Sequence, residues 1–223
     1  MAKAREVEGL DCRGRVLEGV RRVLATRFEE MCDYRDAALD FSDIEGVHSM
    51  RVASRRLRSA MRDFEPYLNE RPARRRVKRV ADALGAVRDE DVAIVALSDL
   101  AEQSRGTAGE ETAQGIRALI AERERRRDEA RTALAREISD AALAELRERF
   151  LARLEAATRD TSPPPADLSD ALALPASVPA VVVVDPAGLP ARLNFVRAGR
   201  EIVQARAAEL RQLSASLYRP FDI

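Results

Sequence analysis

The sequence predicts an all-α protein, and three observations predict it. Apolar residues recur at alternating steps of three and four along several long segments, which is the spacing of one face of an α-helix. Ala and Leu abound, while aromatic residues reach only 4% and tryptophan is absent, a mix that favours helix bundles over sheets. Charged residues make up 34% of the 223 positions, as in long solvated helices. Apolar residues, at 46%, supply the core of one large domain or two small ones.

The elements follow in order. Residues 1–11 read as a frayed lead-in. A first helix is expected from Arg13 to about Leu39, with Val16, Val20, Val23, Leu24, Phe28 and Met31 on its apolar face. Asp40-Phe41-Ser42-Asp43 breaks it, and Ser42 or Asp43 can cap the next helix. That second helix carries an inward stripe of Val47, Met50, Ser54, Leu57, Met61, Phe64 and Leu68 and ends near Tyr67. A turn at Asn69-Glu70-Arg71-Pro72 leads to a third helix from Ala73 to about Leu84, Pro72 suiting its first turn. Val77, Val80 and Leu84 point inward, and Gly85 is expected to kink the helix. Val87, Val92, Val95 and Leu97 continue the apolar supply. A loop at Gly106–Gly109 precedes a fourth helix over about Glu110–Ile138 and a fifth from Ser139 or Asp140 to about Thr158. Seven of the ten prolines fall between 160 and 190, so this stretch reads as a linker or long loop, with Val181–Val184 a short strand or an extended plug. A last helix over about Ala187–Leu217 places Leu189, Leu193, Val196, Val203, Ala207, Leu210 and Leu217 on one seam. The expected organisation is a helical bundle over 1–160, a Pro-rich linker or loop over 161–186, and the C-terminal helix of an incomplete second half over 187–223, packed on the same domain.

The second helix has another face. One position over from the apolar stripe lie His48, Arg51, Arg55, Arg58 and Arg62, a row about 21 Å long at ~1.5 Å per residue. No acid interrupts it. Like charges at these spacings repel by a few tenths of a kcal/mol per pair, so the row calls for something negative to lie along it. Arg74 and Lys78 on the third helix form a flanking row, continued by Arg88 if that helix runs on. The chain is formally neutral, yet Arg51–Arg79 holds eleven basic residues against three acids. A neutral total with a local excess argues for a focused basic patch rather than a generic polycation. Of the 38 cations only Lys3 and Lys78 are lysines. Genomic base composition alone can produce that bias, but the guanidinium fork also matches phosphate oxygens.

Cys12 and Cys32 are isolated and form no CxxC pair, which argues against a disulfide scaffold or zinc site. No apolar run approaches the length of a membrane span, and the N-terminus lacks the apolar core of a signal peptide; a soluble, cytoplasmic protein is expected. Arg88, Asp89 and Asp91 form a compact charged cluster, best read as an ion-paired helix junction. Arg56, on the far side of its helix from the row, is expected to pair with an acid on a neighbour. The mixed charges of Glu122–Arg131 read as a solvated face.

HSMRVASRRLRSAM, followed some thirty residues later by LGAVRDEDVAIVAL, resembles the CHAD (conserved histidine α-helical domain) family. His48, Arg51, Val52, Arg55, Arg56, Leu57 and Arg58 fill the family's HxxRVxxRRLR pattern. Leu84, Gly85, Arg88, Asp89, Asp91, Val92 and Leu97 fill its LGxxRDxDVxxxxL pattern. The resemblance covers residues 12–105. It implies two pseudo-symmetric helical bundles with a basic groove, and binding of inorganic polyphosphate without catalysis. The second half departs from the family: in the last helix Asn194 and Arg197 are spaced like His48 and Arg51, but Glu201 and Gln204 stand at the positions of Arg55 and Arg58. The sequence reaches Ile223 soon after this helix, where the resemblance leads one to expect a further helix. The expectation is an eroded or truncated second half, with weaker binding or homo-oligomer formation as the consequence.

The expected polyphosphate-binding residues are therefore His48, Arg51, Arg55, Arg58, Arg62, Arg74, Lys78 and Arg88, with no catalytic residue, metal or cofactor. A ladder of guanidinium groups on a rigid helix can follow a linear polyanion without reading any sequence. His48 would donate to a phosphate oxygen, more strongly when protonated. Association with polyphosphate granules is the expected location. Nucleic acid is the alternative partner, but aromatic residues for base stacking are scarce and no helix-turn-helix or RNA-recognition pattern is found. An enzyme acting on phosphate compounds would need clustered carboxylates for magnesium or a phosphate-binding glycine loop, and the basic window has neither.

Overall fold

The computed structural model describes residues 3–68, 73–105, 109–159 and 194–217, with side chains to 212. These residues form seven α-helices: α1 (Val16–Asp33), α2 (Arg35–Leu39), α3 (Ile44–Asp63), α4 (Arg74–Gln103), α5 (Glu110–Glu137), α6 (Asp140–Ala157) and α7 (Phe195–Leu217). A 3-10 turn over Glu65–Tyr67 follows α3. Among the described residues no strand forms beyond one isolated bridge between Arg15 and Asn194. The fold is all-α, as the composition and periodicity require. The turn at 69–72, the loop at 106–108, the Pro-rich stretch with Val181–Val184, and Leu189 and Leu193 lie outside the described residues.

Helix α3 is the central element, packing against α1, α2 and α4, while α5 packs along α4 and both α6 and α7 rest on α1. Its inward stripe behaves as the spacing predicts: Val47, Met50, Ser54, Leu57, Met61 and Phe64 are buried and Leu68 is partly buried against the core. The predicted faces of α1 and α4 hold over most of their length: Val16, Val20, Leu24, Phe28, Met31, Val77, Val80, Leu84 and Val87 are buried and Val23 is partly buried, whereas Val92 and Val95, farther along α4, are exposed. Each fully buried side chain of this size contributes roughly 1.5–3 kcal/mol. Phe28 of α1 stacks on Phe150 of α6 at 4.3 Å between ring centroids, which ties the fifth predicted helix to the first.

Several boundaries differ from expectation. The first predicted helix is two, because the chain breaks at Tyr34 and restarts as α2. That break lets α2 approach α3 very closely: a Cβ on Gly46 would sit 1.8 Å from the carbonyl oxygen of Ala37. Asp43 caps α3, its carboxylate accepting from the Glu45 amide at 2.8 Å, and Ser139 caps α6. The lead-in is not frayed over its described residues. Arg5 pairs with Asp33, and its backbone amide and carbonyl engage Glu30 and Arg27 of α1. Gly85 does not interrupt α4, which runs unbroken to Gln103.

The seam predicted for the last helix is also corrected. Val196, Val203 and Leu210 are exposed at 45%, 68% and 67%, and the residues that pack inward are Phe195, Ala198 and Ile202, one position away. Docking of α7 depends on its first residues. The amides of Phe195 and Val196 donate to the carbonyls of Gly14 and Cys12, and Asn194 Oδ1 accepts from the Arg197 amide at 2.9 Å. The Phe195 ring lies against Phe64 and over Gly19 of α1, where a Cβ would come within 2.3 Å of its Cδ2 atom. Tyr67 completes the seam by donating to Glu201 at 2.9 Å, and Arg206 reaches Asp63 at 2.6 Å.

In an open helix position glycine to alanine gains about 1 kcal/mol. At Gly19 the sign reverses: Gly19→Ala displaces Phe195 and lowers stability by ~1–3 kcal/mol, read as a reduced urea midpoint. A stabilised Gly19→Ala would show that α7 does not dock through this ring.

Candidate functional site

The basic row of α3 is fixed from its N-terminus. The Asp43 cap and the close α2 contact at Gly46 set the helix one turn before His48, and the buried stripe sets its rotation. The row then meets α4. Arg51 Nη1 donates to the Gly85 carbonyl at 3.1 Å and to Asp89 Oδ1 at 3.0 Å. A Cβ at Gly85 would lie 3.3 Å from the same nitrogen. Gly85 therefore serves as a seat for the Arg51 guanidinium rather than as a hinge. A guanidinium can span two acceptors in this way because its donors are held in one plane.

Beyond Arg51 the row opens into a groove between α3 and α4 of about 480 Å³. It is lined by Arg55, Arg58, Ser59, Met61 and Arg62 from α3 and by Arg74 and Lys78 from α4. Five of these seven residues are cationic and none is acidic. Arg55 and Arg58 are exposed and form no ion pair with a described residue. The others are partly satisfied from outside the groove: Arg62 lies 3.6 Å from Asp63, Arg74 lies 3.1 Å from Glu65, and Lys78 lies 2.6 Å from Asp82. Such exposed pairs are worth about 0–1 kcal/mol, so a phosphate can replace the carboxylate at little cost.

Five of the eight predicted residues thus come together. His48, Arg51 and Arg88 do not line this groove. His48 is half-buried on the same helix, and Arg51 is engaged with α4. The Arg51–Asp89 pair is solvent-accessible, at 40% and 74%, but the Gly85 carbonyl accepts from the same nitrogen, so Arg51 stays docked on α4. Arg88 is half-buried on α4 and contributes positive charge around Asp91. Arg56 meets the expectation of an interhelical pair. It reaches the buried Glu30 of α1 at 2.7 Å, and Arg27 binds the same carboxylate.

The second motif is an interhelical junction. Asp89 holds Arg51, while Asp91, two positions on and so on the other side of α4, is buried at 3% exposure. Neither Asp91 oxygen accepts a hydrogen bond from a described residue. Arg131 of α5 stands 4.0 Å away and is itself held over the Phe41 ring and by the Phe41 carbonyl. Burial raises the Asp91 carboxyl above its ordinary range, against the opposing pull of Arg131, Arg127 and Arg88. A lone aspartate in a helix face gives no hint in sequence that it will be buried. Its weak signal is two basic residues, Arg127 and Arg131, spaced one turn apart on α5.

Among the described residues no group of three or more histidine, cysteine or acidic side chains could hold a metal ion, and no helix is long and apolar enough to cross a membrane. Cys12 is exposed, whereas Cys32 is partly buried, and burial pushes its thiol up to about 12, so it stays protonated and inert.

Fold and groove together define a class: an all-α protein presenting an acid-free cationic groove between neighbouring helices. The family model of the CHAD domain matches residues 22–218, and the chain belongs to the CHAD domain family. The match extends across α7, in which Glu201 and Gln204 follow Arg197 at the spacing that Arg55 and Arg58 have from Arg51. No curated protein and no solved structure matches the chain.

The raised carboxyl of Asp91 gives a pH-dependent prediction. Well below the ordinary carboxylate range Asp91 is protonated in both folded and unfolded chains, and no charge is buried. As pH rises through that range the unfolded chain loses its proton first, so ionisation weakens the fold. Asp91→Asn is expected to raise the melting temperature at neutral pH, with the gain shrinking to nothing as pH falls below the carboxylate range. A variant less stable than the parent at neutral pH would mean that attraction to Arg131 outweighs burial.

Proposed function

We propose that this protein binds inorganic polyphosphate in the α3/α4 groove and performs no chemistry on it. One observation carries the reading: Arg55, Arg58, Arg62, Arg74 and Lys78 face one groove with no acid among its lining residues. Holding five cations together on rigid helices is unfavourable for the free protein, and a linear polyanion removes that penalty. Membership of the CHAD domain family supports the same ligand. Arg55 and Arg58, one turn apart, take successive phosphates. Arg62 and Arg74 close the far end, and Lys78 supplies a point charge from the opposite wall. His48 and Arg51 extend the row toward the start of α3, and Arg88 contributes at longer range. Capture of polyphosphate in this way would hold the protein on polyphosphate granules.

Because contacts of this kind release counter-ions, affinity falls steeply with salt, by a log–log slope of about 0.7 for each phosphate neutralised on a single-stranded polyanion. A titration of long-chain polyphosphate across salt concentrations is expected to give a slope of roughly 3 or more for the parent protein. Arg55→Ala/Arg58→Ala should lower that slope by about 1.4 and weaken binding at every salt concentration. Incubation with polyphosphate and magnesium should release no phosphate. Equal affinity for RNA of matched charge would turn the reading into one of general polyanion binding, and unchanged affinity of the double variant would remove it.

His48→Gln is expected to weaken long-chain binding, and by less than Arg55→Ala/Arg58→Ala does, since His48 is not among the residues lining the groove. Unchanged affinity in His48→Gln would take His48 out of the site.

A further inference from the structure

We infer that a second cationic groove, between α4 and α6, continues the first, so that long polyphosphate is bound across both while short polyphosphate occupies only the α3/α4 groove. The inference rests on the reading of the first groove given above. The second groove measures about 700 Å³. From α4 it is lined by Arg75, Arg76 and Arg79, and from α6 by Arg149 and Arg153, with Glu145 as its only acidic lining residue. Arg74 and Lys78 line both grooves. They lie four apart on one face of α4 and form a cationic crest over which a single strand can pass from one groove to the next.

The charge balance favours a ligand over internal pairing. Arg76 and Arg79 share one carboxylate, Glu137, at 3.6 and 3.7 Å, and Arg149 is paired with Glu145 at 2.8 Å. Arg75 and Arg153 form no ion pair with a described residue. The arginines exceed the acids available to them, and the Arg149–Glu145 pair is exposed at 71% and 52%. Arg149 and Arg153 are one turn apart, about 6 Å along α6, and present two cations in line, as Arg55 and Arg58 do on α3. Nothing in this groove reads a base or a side chain. It extends the same phosphate-backbone recognition, so it acts on chain length.

The test uses the full chain, with tripolyphosphate and long-chain polyphosphate as probes. Both α6 arginines are exposed, and alanine is a good helix former, so Arg149→Ala/Arg153→Ala keeps the fold. Arg149→Gln/Arg153→Gln serves as a second form of the same loss. Either pair is expected to weaken long-chain binding severalfold and to lower its salt slope by about 1.4, with tripolyphosphate affinity unchanged. Arg55→Ala/Arg58→Ala is expected to weaken both probes. Unchanged long-chain affinity in both α6 variants, or equal losses for the two probes, overturns the second groove. If Arg55→Ala/Arg58→Ala is also without effect, the reading of the first groove falls with it.

Discussion

The contact of Arg51 with Gly85 and Asp89 is the interaction on which the site depends. Arg51 is the first arginine of the basic row, and it is the one that reaches across to α4. The missing side chain at Gly85 lets the guanidinium lie against the α4 backbone. With that end braced, the rows on the two helices are held side by side, and Arg55, Arg58 and Arg62 face Arg74 and Lys78 across one groove. The two sequence motifs of the family are thus two halves of one junction. The first supplies the arginine, and the second supplies the glycine and the aspartate that receive it.

Elsewhere many of the described arginines are neutralised locally. Arg56 and Arg27 converge on the buried Glu30, Arg147 meets Glu29, Arg206 meets Asp63, and Arg125 and Arg126 share Glu122, whose carboxyl their hydrogen bonds pull down to about 2. Arg55 and Arg58 are left out of this pattern. A neutral protein that concentrates uncompensated cations in one place has placed acids everywhere else, and the resulting field is focused rather than diffuse.

Much of this was legible in the sequence where a period of 3.6 residues reports burial. The α3 stripe, the α1 and α4 faces, the Asp43 and Ser139 caps and the interhelical role of Arg56 all follow from spacing and residue type. The misses share a cause. Periodicity says that a stripe is apolar, not that something covers it, so Val196, Val203 and Leu210 read as core although they face outward. A glycine in a helix reads as a weak point, because sequence does not show what approaches it: Gly85 seats a guanidinium and Gly19 a phenyl ring. The break at Tyr34 carries no proline or glycine, and the tight approach of α2 to Gly46 that it permits is a tertiary contact. Asp91 is the clearest case, a buried carboxylate that no local pattern distinguishes from its exposed neighbour Asp89.

The central claim is that the cations of the α3/α4 groove serve a ligand and not the fold. Thermal unfolding separates the two, because a ligand that binds only the native state raises its stability by mass action. With Arg55→Ala/Arg58→Ala, the melting temperature without ligand should equal or exceed that of the parent, since like-charge repulsion is relieved, while the upward shift caused by added polyphosphate should be largely lost. A double variant that melts lower than the parent yet keeps the full polyphosphate shift would contradict the account.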